Sequence, residues 1–280
     1  MLTPSQVAPE FGVDAEYRAL WEEGVASGRE VAQSVGVNVL AIARNCTPHL
    51  TNTIECINES VRHFQRRNLI VYENDSDDDT PAILREWGND AQWHQAIVQS
   101  EKLGRDDLRG FENDRTIALA EYRNRCLNAL RTLNLRGEVT IVVDLDPHGG
   151  FEPAGVLNSV GWLGNYAGLA SFSIFRKTNE NGVVGYAHYD CWAMRPVCWW
   201  RDRKLEIGFN WAGSFLPPVG APPQPFNSAF GGLAVYNTIA LLAGRYAGGD
   251  CEHVALHRSM AAAGYRMAMN PGCLYCAVLG

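Results

Sequence analysis

Apolar positions change their period along this chain, and the changes mark out its elements. From Ala15 to Val35, "AEYRALWEEGVASGREVAQSV", they recur at helical spacing, which predicts an amphipathic helix. "VNVLAIARNC" (37–46) is a continuous apolar run that turns polar at Arg44 and Asn45, the pattern of a strand buried on both faces. A helix is expected over "LTNTIECINESVRHF", then a strand, an acidic turn and a helix over "NLIVYENDSDDDTPAILREW". The helical stretch "DRTIALAEYRNRCLNALRTL" leads into a strand at Val139 to Val143.

Such alternation implies an α/β fold, a mostly parallel central sheet with helices on both faces and ligands held beyond the carboxyl ends of its strands. Three strand ends are therefore read together: "ARN", "YENDSDDD" and "DLD". After Gly150 the pattern breaks into shorter pieces rich in Gly, Trp and Pro, and a few strands with long loops are expected, "PPVGAPPQP" among the loops. A last helix is expected over "GGDCEHVALHRSMAAAGYRM", followed by a loop at "MNPGCLYC". There is no internal repeat, and one domain over 1–280 is expected.

Composition narrows the partners. With 46% apolar and 20% charged residues the chain is an ordinary globular protein. Its net charge of -7, with no basic cluster longer than "FQRRN" or "RDRK", argues against nucleic acid as a partner. No window approaches ~20 continuous apolar residues, and "MLTPSQVAPEFGVDAEY" lacks the basic and apolar regions of a targeting peptide. The expectation is a soluble, cytoplasmic protein without an integral membrane segment. The eight cysteines sit inside regular segments and read as free thiols. The lone pair Cys273 and Cys276 has metal-knuckle spacing but no second pair to complete a zinc site.

Asp144 and Asp146 end the third predicted strand two positions apart, so their side chains point the same way while Leu145 faces the core. Two hard oxygen ligands suit Mg²⁺ or Mn²⁺ with positions left for phosphate oxygens. Aspartates also simply cap strand ends and turns. Asp250 and Glu252 stand at a predicted helix start, where capping alone would explain them. His253 and His257 share a helix face, as metal ligands or as one packed and one solvated histidine. Gly231 and Gly232 would let backbone approach a ligand, and Trp192 offers a flat face to a sugar ring, whereas most of the other tryptophans read as core.

With "IARNC", "VYENDSDDDT", "LAEYRNRCL" and "VVDLDPHGG" in this order, the chain resembles the metal-dependent nucleotide-sugar glycosyltransferases of the GT-A fold. Within them it is most similar to the fungal capsular α-1,3-mannosyltransferases and their microbial and viral relatives, through "ENDSxDxT", "YRN", "DLD", "YDxWAxR", "FGGLxxY" and "CEHxxxH" over most of residues 38 to 272. The resemblance implies a nucleoside-diphosphate sugar donor, UDP- or GDP-linked, a carbohydrate acceptor, and Mn²⁺ or Mg²⁺ held by Asp146 and more loosely by Asp144. It places the nucleotide on Glu73, Asp75, Arg44 and Arg123 in a binding half over 1–150, Arg123 having a surface ion pair with Glu121 or Asp114 as its rival reading. The acceptor half, 151–280, would contribute Glu252 or Asp250 as catalytic carboxylate, with Asp190, Trp192, Gly231, Gly232 and His253 on the sugar side. Members of the broader fold often add a late histidine ligand, and "MNPGCLYC" holds none. Sugar nucleotidyltransferases of the same fold would want a glycine-rich basic loop after the first strand, which "ARNCTPHLTNT" lacks. A non-catalytic carbohydrate- or nucleotide-binding protein is the other alternative.

Overall fold

The computed structural model describes residues 1–106, 108, 110, 112–132, 137–200 and 211–279. One sheet runs through both halves of the chain. Strands β1 (Gly36–Ala43), β2 (Arg66–Asn74), β3 (Gln95–Glu101) and β4 (Val139–Asp144) lie parallel in the order β3-β2-β1-β4. The sheet continues through β9 (Leu233–Asn237), antiparallel to β4, and β5 (Gly168–Thr178), antiparallel to β9. Beyond these come β10 (Met267–Leu279), parallel to β5, then β8 (Gln224–Ser228) and β7 (Arg195–Pro196), while β6 (Val184–His188) pairs with the far end of β5.

Alternation along β1 sorts its side chains between two cores. Val37, Val39 and Ala41 join the apolar surfaces of α2 (Arg18–Ala32), α3 (Leu50–Val61), α4 (Thr80–Gly88) and α6 (Pro153–Gly161). Leu40 faces the other way, toward Cys126 and Leu127 of α5 (Asn113–Thr132) and Leu256 and Met260 of α8 (Glu252–Ala262). Burial on both faces is why β1, β2 and β4 read as unbroken apolar runs.

Helices α2 and α6 cross almost backbone to backbone. A Cβ on Gly28 would fall 1.8 Å from the Leu157 carbonyl oxygen, so only glycine allows this approach. The same helix is latched to the last strand by the Trp21 indole, which donates to the Gly272 carbonyl at 2.9 Å.

"QAIVQSE", for which the sequence alone predicts no element, forms edge strand β3, concealed by its half-exposed polar pattern. Two expectations are corrected. "MNPGCLYC" lies inside the buried strand β10, where the register shifts between Asn270 and Leu274 so that Pro271 and Gly272 sit in an irregularity of the ladder. Cys273 and Cys276 are buried free thiols there. The last helix is shorter than expected and starts at Glu252.

Candidate active site

The carboxyl ends of β1, β2 and β4 open onto a cavity of about 640 Å³. Its lining brings together Arg44, Asn74, Arg105 and Arg115 with Arg123, Asp144, Asp146, Asp190, Trp192, Gly232, Glu252 and His253. The strand ends are fixed locally. Asn45 and Asp75 turn the chain out of β1 and β2 at φ 51° and 55°, a conformation that asparagine and aspartate tolerate better than most residues.

The "ENDSDDDT" segment works mainly as a pin. Ser76 Oγ accepts from the Asn45 amide at 3.0 Å, Asp78 Oδ2 accepts from the Thr47 amide at 3.0 Å, and Thr80 Oγ1 accepts from the Cys46 amide at 2.8 Å. Glu73 is buried beneath the cavity and accepts from the Ser76 amide at 2.9 Å and from the Ser100 hydroxyl. Asp75 accepts from the amides of Leu103 and Gly104 at 2.7 and 2.8 Å and from Asn74 Nδ2 at 3.0 Å. The Asn74 amide and those backbone N–H groups hold its carboxyl down to about 2, against the effect of burial. Neither Glu73 nor Asp75 lines the cavity, and both act on the loop that does. Arg44 braces the same loop from the other side, donating to the carbonyls of Arg105 and Asp106 at 2.9 Å each.

Arg123 is neither a surface residue nor paired with Glu121 or Asp114. Only 5% of it is exposed; its Nη2 donates to Asp144 Oδ1 at 2.8 Å and its Nε to Glu252 Oε1 at 3.0 Å. Phe230 and Tyr246 stand 5.1 and 6.0 Å from its guanidinium carbon. Burial opposes its charge, but the two carboxylates hold it firmly protonated. Glu121 pairs instead with Arg105 and Arg125.

Asp146 is different. Open to the cavity, it has no ion-pair partner among the described residues. It keeps exposed surface, yet the protein crowding its carboxyl, and then the repulsion of Asp144, push that carboxyl up to about 6. Asp190 accepts from the Gly231 amide at 2.9 Å and from the Ala193 amide at 3.3 Å. Enclosure raises it to about 6 as well, with the charges of Glu252 and Asp144 contributing and the two amides opposing.

Both glycines of "FGG" are required by conformation. At φ 71° a Cβ on Gly231 would fall 2.4 Å from the Ser171 carbonyl oxygen, and at φ 84° one on Gly232 would strike the Tyr275 ring. Gly232 lines the cavity, whereas Gly231 stands behind it. Trp192 is buried with one side on the cavity.

At the start of α8 the N-cap position is Cys251, and neither acidic neighbour caps the helix. Asp250 accepts from Nη2 of the fully buried Arg195 at 2.7 Å and lies outside the cavity lining. His253 stacks on Phe230 with ring centroids 3.6 Å apart, and His257 bridges Ser228 Oγ at 2.8 Å and Tyr236 Oη at 2.9 Å. Both histidines are buried, so the expected division into one packed and one solvated does not occur.

A divalent cation suits Asp144 and Asp146 in kind. They offer hard carboxylate oxygens on one strand end, with Asp146 unmatched by any cation and only one oxygen of Asp144 taken by Arg123. Among the described residues no group of three or more His, Cys, Asp or Glu closes a cage around such an ion.

No protein-family model matches the chain and no curated protein does. Solved structures do. The chain is similar to mannosyltransferase PcManGT from Pyrobaculum calidifontis in complex with GDP-Man and Mn²⁺, at 14% identity over 93% of this chain and 67% of that one, TM-score 0.49. Another is glucosyl-3-phosphoglycerate synthase from Mycobacterium tuberculosis with Mn²⁺, UDP and phosphoglyceric acid, at 17% identity over 88% and 72% of the two chains, TM-score 0.47. GalNAc-T7 with UDP, GalNAc and Mn²⁺ is 10% identical over 99% of this chain and 55% of its own, TM-score 0.50. The chain thus spans about half the length of the GalNAc-T7 chain, and this likeness shows the fold: the GT-A arrangement of a mostly parallel sheet flanked by helices. Among the described residues, no helix is long and apolar enough to cross a membrane.

Proposed function

We propose that this protein is a metal-dependent glycosyltransferase that moves a sugar from a nucleoside-diphosphate sugar to a carbohydrate acceptor. One observation carries the reading: a carboxylate without an ion-pair partner among the described residues, Asp146, two positions from the paired Asp144, at a strand end that opens onto a cavity with arginines lining it. Asp146 and the second oxygen of Asp144 would hold Mn²⁺ or Mg²⁺, with ligand and water oxygens completing the shell. A cation there supplies charge neutralisation on the departing diphosphate. Arg44, Arg105 and Asn74 would meet the nucleotide, and Glu73 and Asp75 keep their loop in place. Arg123 fixes one oxygen of Asp144, leaving the other for the metal. Trp192, Gly232 and His253 lie on the sugar side. The similarity to the capsular mannosyltransferases makes GDP-mannose the first donor to try, with UDP-linked hexoses next.

The experiment is a thermal-shift panel of UDP, GDP and their sugar conjugates with and without Mn²⁺, since a ligand of the native state raises its melting temperature. A Mn²⁺-dependent shift with one base is expected in the wild-type protein and its loss in Asp146→Asn, with turnover at least ~100-fold lower. Unchanged turnover in that variant would sink the reading.

A further inference from the structure

Resting on the transferase reading above, we infer that Asn74 selects the nucleobase of the donor: its carboxamide oxygen accepts the ring N–H of uracil or guanine, and the site refuses cytosine and adenine, whose corresponding ring nitrogen is a bare acceptor. Asn74 is the last residue of β2, on the same face as Tyr72, and its side chain lines the cavity. At this strand end the lining is apolar and flat-sided. Ile42, opposite Tyr72 in the register of β1 and β2, contributes to it with Leu119 and Tyr122, whose ring stacks on Tyr72 with centroids 5.3 Å apart. Arg105 reaches over the Tyr122 ring, its guanidinium carbon 5.5 Å from the centroid. A planar heterocycle with one polar edge matches such a corner.

What Asn74 presents there is fixed by its neighbour. Asp75 Oδ1 accepts from the Leu103 and Gly104 amides at 2.7 and 2.8 Å, and Oδ2 accepts from Asn74 Nδ2 at 3.0 Å and from the Arg105 amide at 3.4 Å. Asn74 and those backbone N–H groups hold the Asp75 carboxyl down to about 2, so at neutral pH it can only accept. The Asn74 amide must then turn its NH₂ toward Asp75, and its oxygen is left for the cavity. No described residue donates to that oxygen and the protein does not enclose it. An ordinary asparagine can turn over to suit a donor or an acceptor; this one is a fixed acceptor. The same Asp75 oxygen holds the backbone of Arg105, which sets a cation beside it.

An acceptor next to a cation is a base-selective pair. Uracil and guanine each offer a ring N–H with a carbonyl adjoining it, so the N–H meets Asn74 Oδ1 and the carbonyl falls toward Arg105. Cytosine and adenine reverse both groups. Their ring nitrogen would set a lone pair against the Asn74 oxygen, and their amino group would face the guanidinium. A site built to accept a hydrogen bond rejects a ligand that cannot donate it, because its own polar group is left unpaired.

The test uses the full chain with Mn²⁺ and reads nucleotide binding by calorimetry, with UDP, CDP, GDP, ADP and the ring-methylated 3-methyl-UDP and 1-methyl-GDP. UDP or GDP is expected to bind at least ~30-fold more tightly than its amino counterpart, CDP or ADP, and methylation of the ring nitrogen should cost at least as much. Asn74→Leu keeps the bulk of the side chain without its oxygen, and is expected to bring each such pair within about threefold while binding still requires Mn²⁺. The methylated nucleotides need no variant, so they decide the matter even where Asn74→Leu does not fold. Wild-type binding of CDP and ADP within about threefold of UDP and GDP, binding of a methylated nucleotide within about threefold of its parent, or a preference that survives in Asn74→Leu overturns Asn74 as the base reader and leaves the transferase reading standing. A wild-type chain that binds no nucleotide with Mn²⁺ overturns both.

Discussion

The two walls of the cavity handle charge in opposite ways. On one wall Arg44 is propped by the carbonyls of Arg105 and Asp106, neutral partners that orient the guanidinium without cancelling it. On the other, a single buried cation, Arg123, is shared between Asp144 and Glu252, and Asp146 and Asp190 are left unmatched. Charge that stays uncancelled is charge available to a ligand. On the proposed reading the basic wall would offer cations to phosphate, while on the acidic wall Asp144 and Glu252 hold Arg123, and Asp146, Asp190 and the second oxygen of Asp144 stay open to a ligand.

The harshest way to break that division is Arg123→Met. It leaves Asp144 and Glu252 as enclosed carboxylates without a cation, and the expected cost is about 3–5 kcal/mol of stability, read from the urea midpoint. A surviving midpoint would mean that the triad does not hold the acidic wall.

Asp190→Asn sharpens the comparison in the other direction. A carboxyl raised in the folded state to about 6 contributes stability that is present below its unfolded value and lost as pH rises through 6. The asparagine variant carries no such loss. It should be more stable than wild type at pH 7, by roughly 1–3 kcal/mol, with the advantage fading toward pH 4. Equal stability of the two proteins across that range would show that the enclosure of Asp190 costs nothing.

On the basic wall the expected effect is smallest. Arg44→Ala removes the brace under Arg105, and UDP or GDP binding measured by calorimetry should weaken by about 5–10-fold, roughly 1–1.4 kcal/mol, with global stability little changed.

The two walls were also unequally legible in the sequence. Strands β1, β2 and β4 announced themselves because burial on both faces makes an unbroken apolar run, and their polar ends pointed to the cavity. The fold class followed from that rhythm. Edge strand β3 was hidden because half of it faces water, and β10 was hidden because Pro271 and Gly272, residues that usually mark a loop, sit in a shift of register inside a strand. Within the site, Asp144 and Asp146 were visible from their spacing. Their difference was not, since Arg123 and Glu252 come from distant helices and no local pattern ties residue 123 to 144 and 252. "ENDSDDDT" stood out as a motif, but its detailed work in pinning the end of β1 depends on which amides lie within 3 Å, a matter of tertiary structure.

The latch between Trp21 and Gly272 sets a timetable for synthesis. Helix α2 leaves the ribosome early, but the carbonyl that secures it is translated roughly 250 residues later, about 10–50 s at ~5–20 residues per second. The glycine face can close on α6 once residues 153–161 have been made, but the indole that will meet β10 has nothing to close against until the end. A nascent chain of this protein therefore carries its first long helix unlatched from the sheet until almost the last strand has been made.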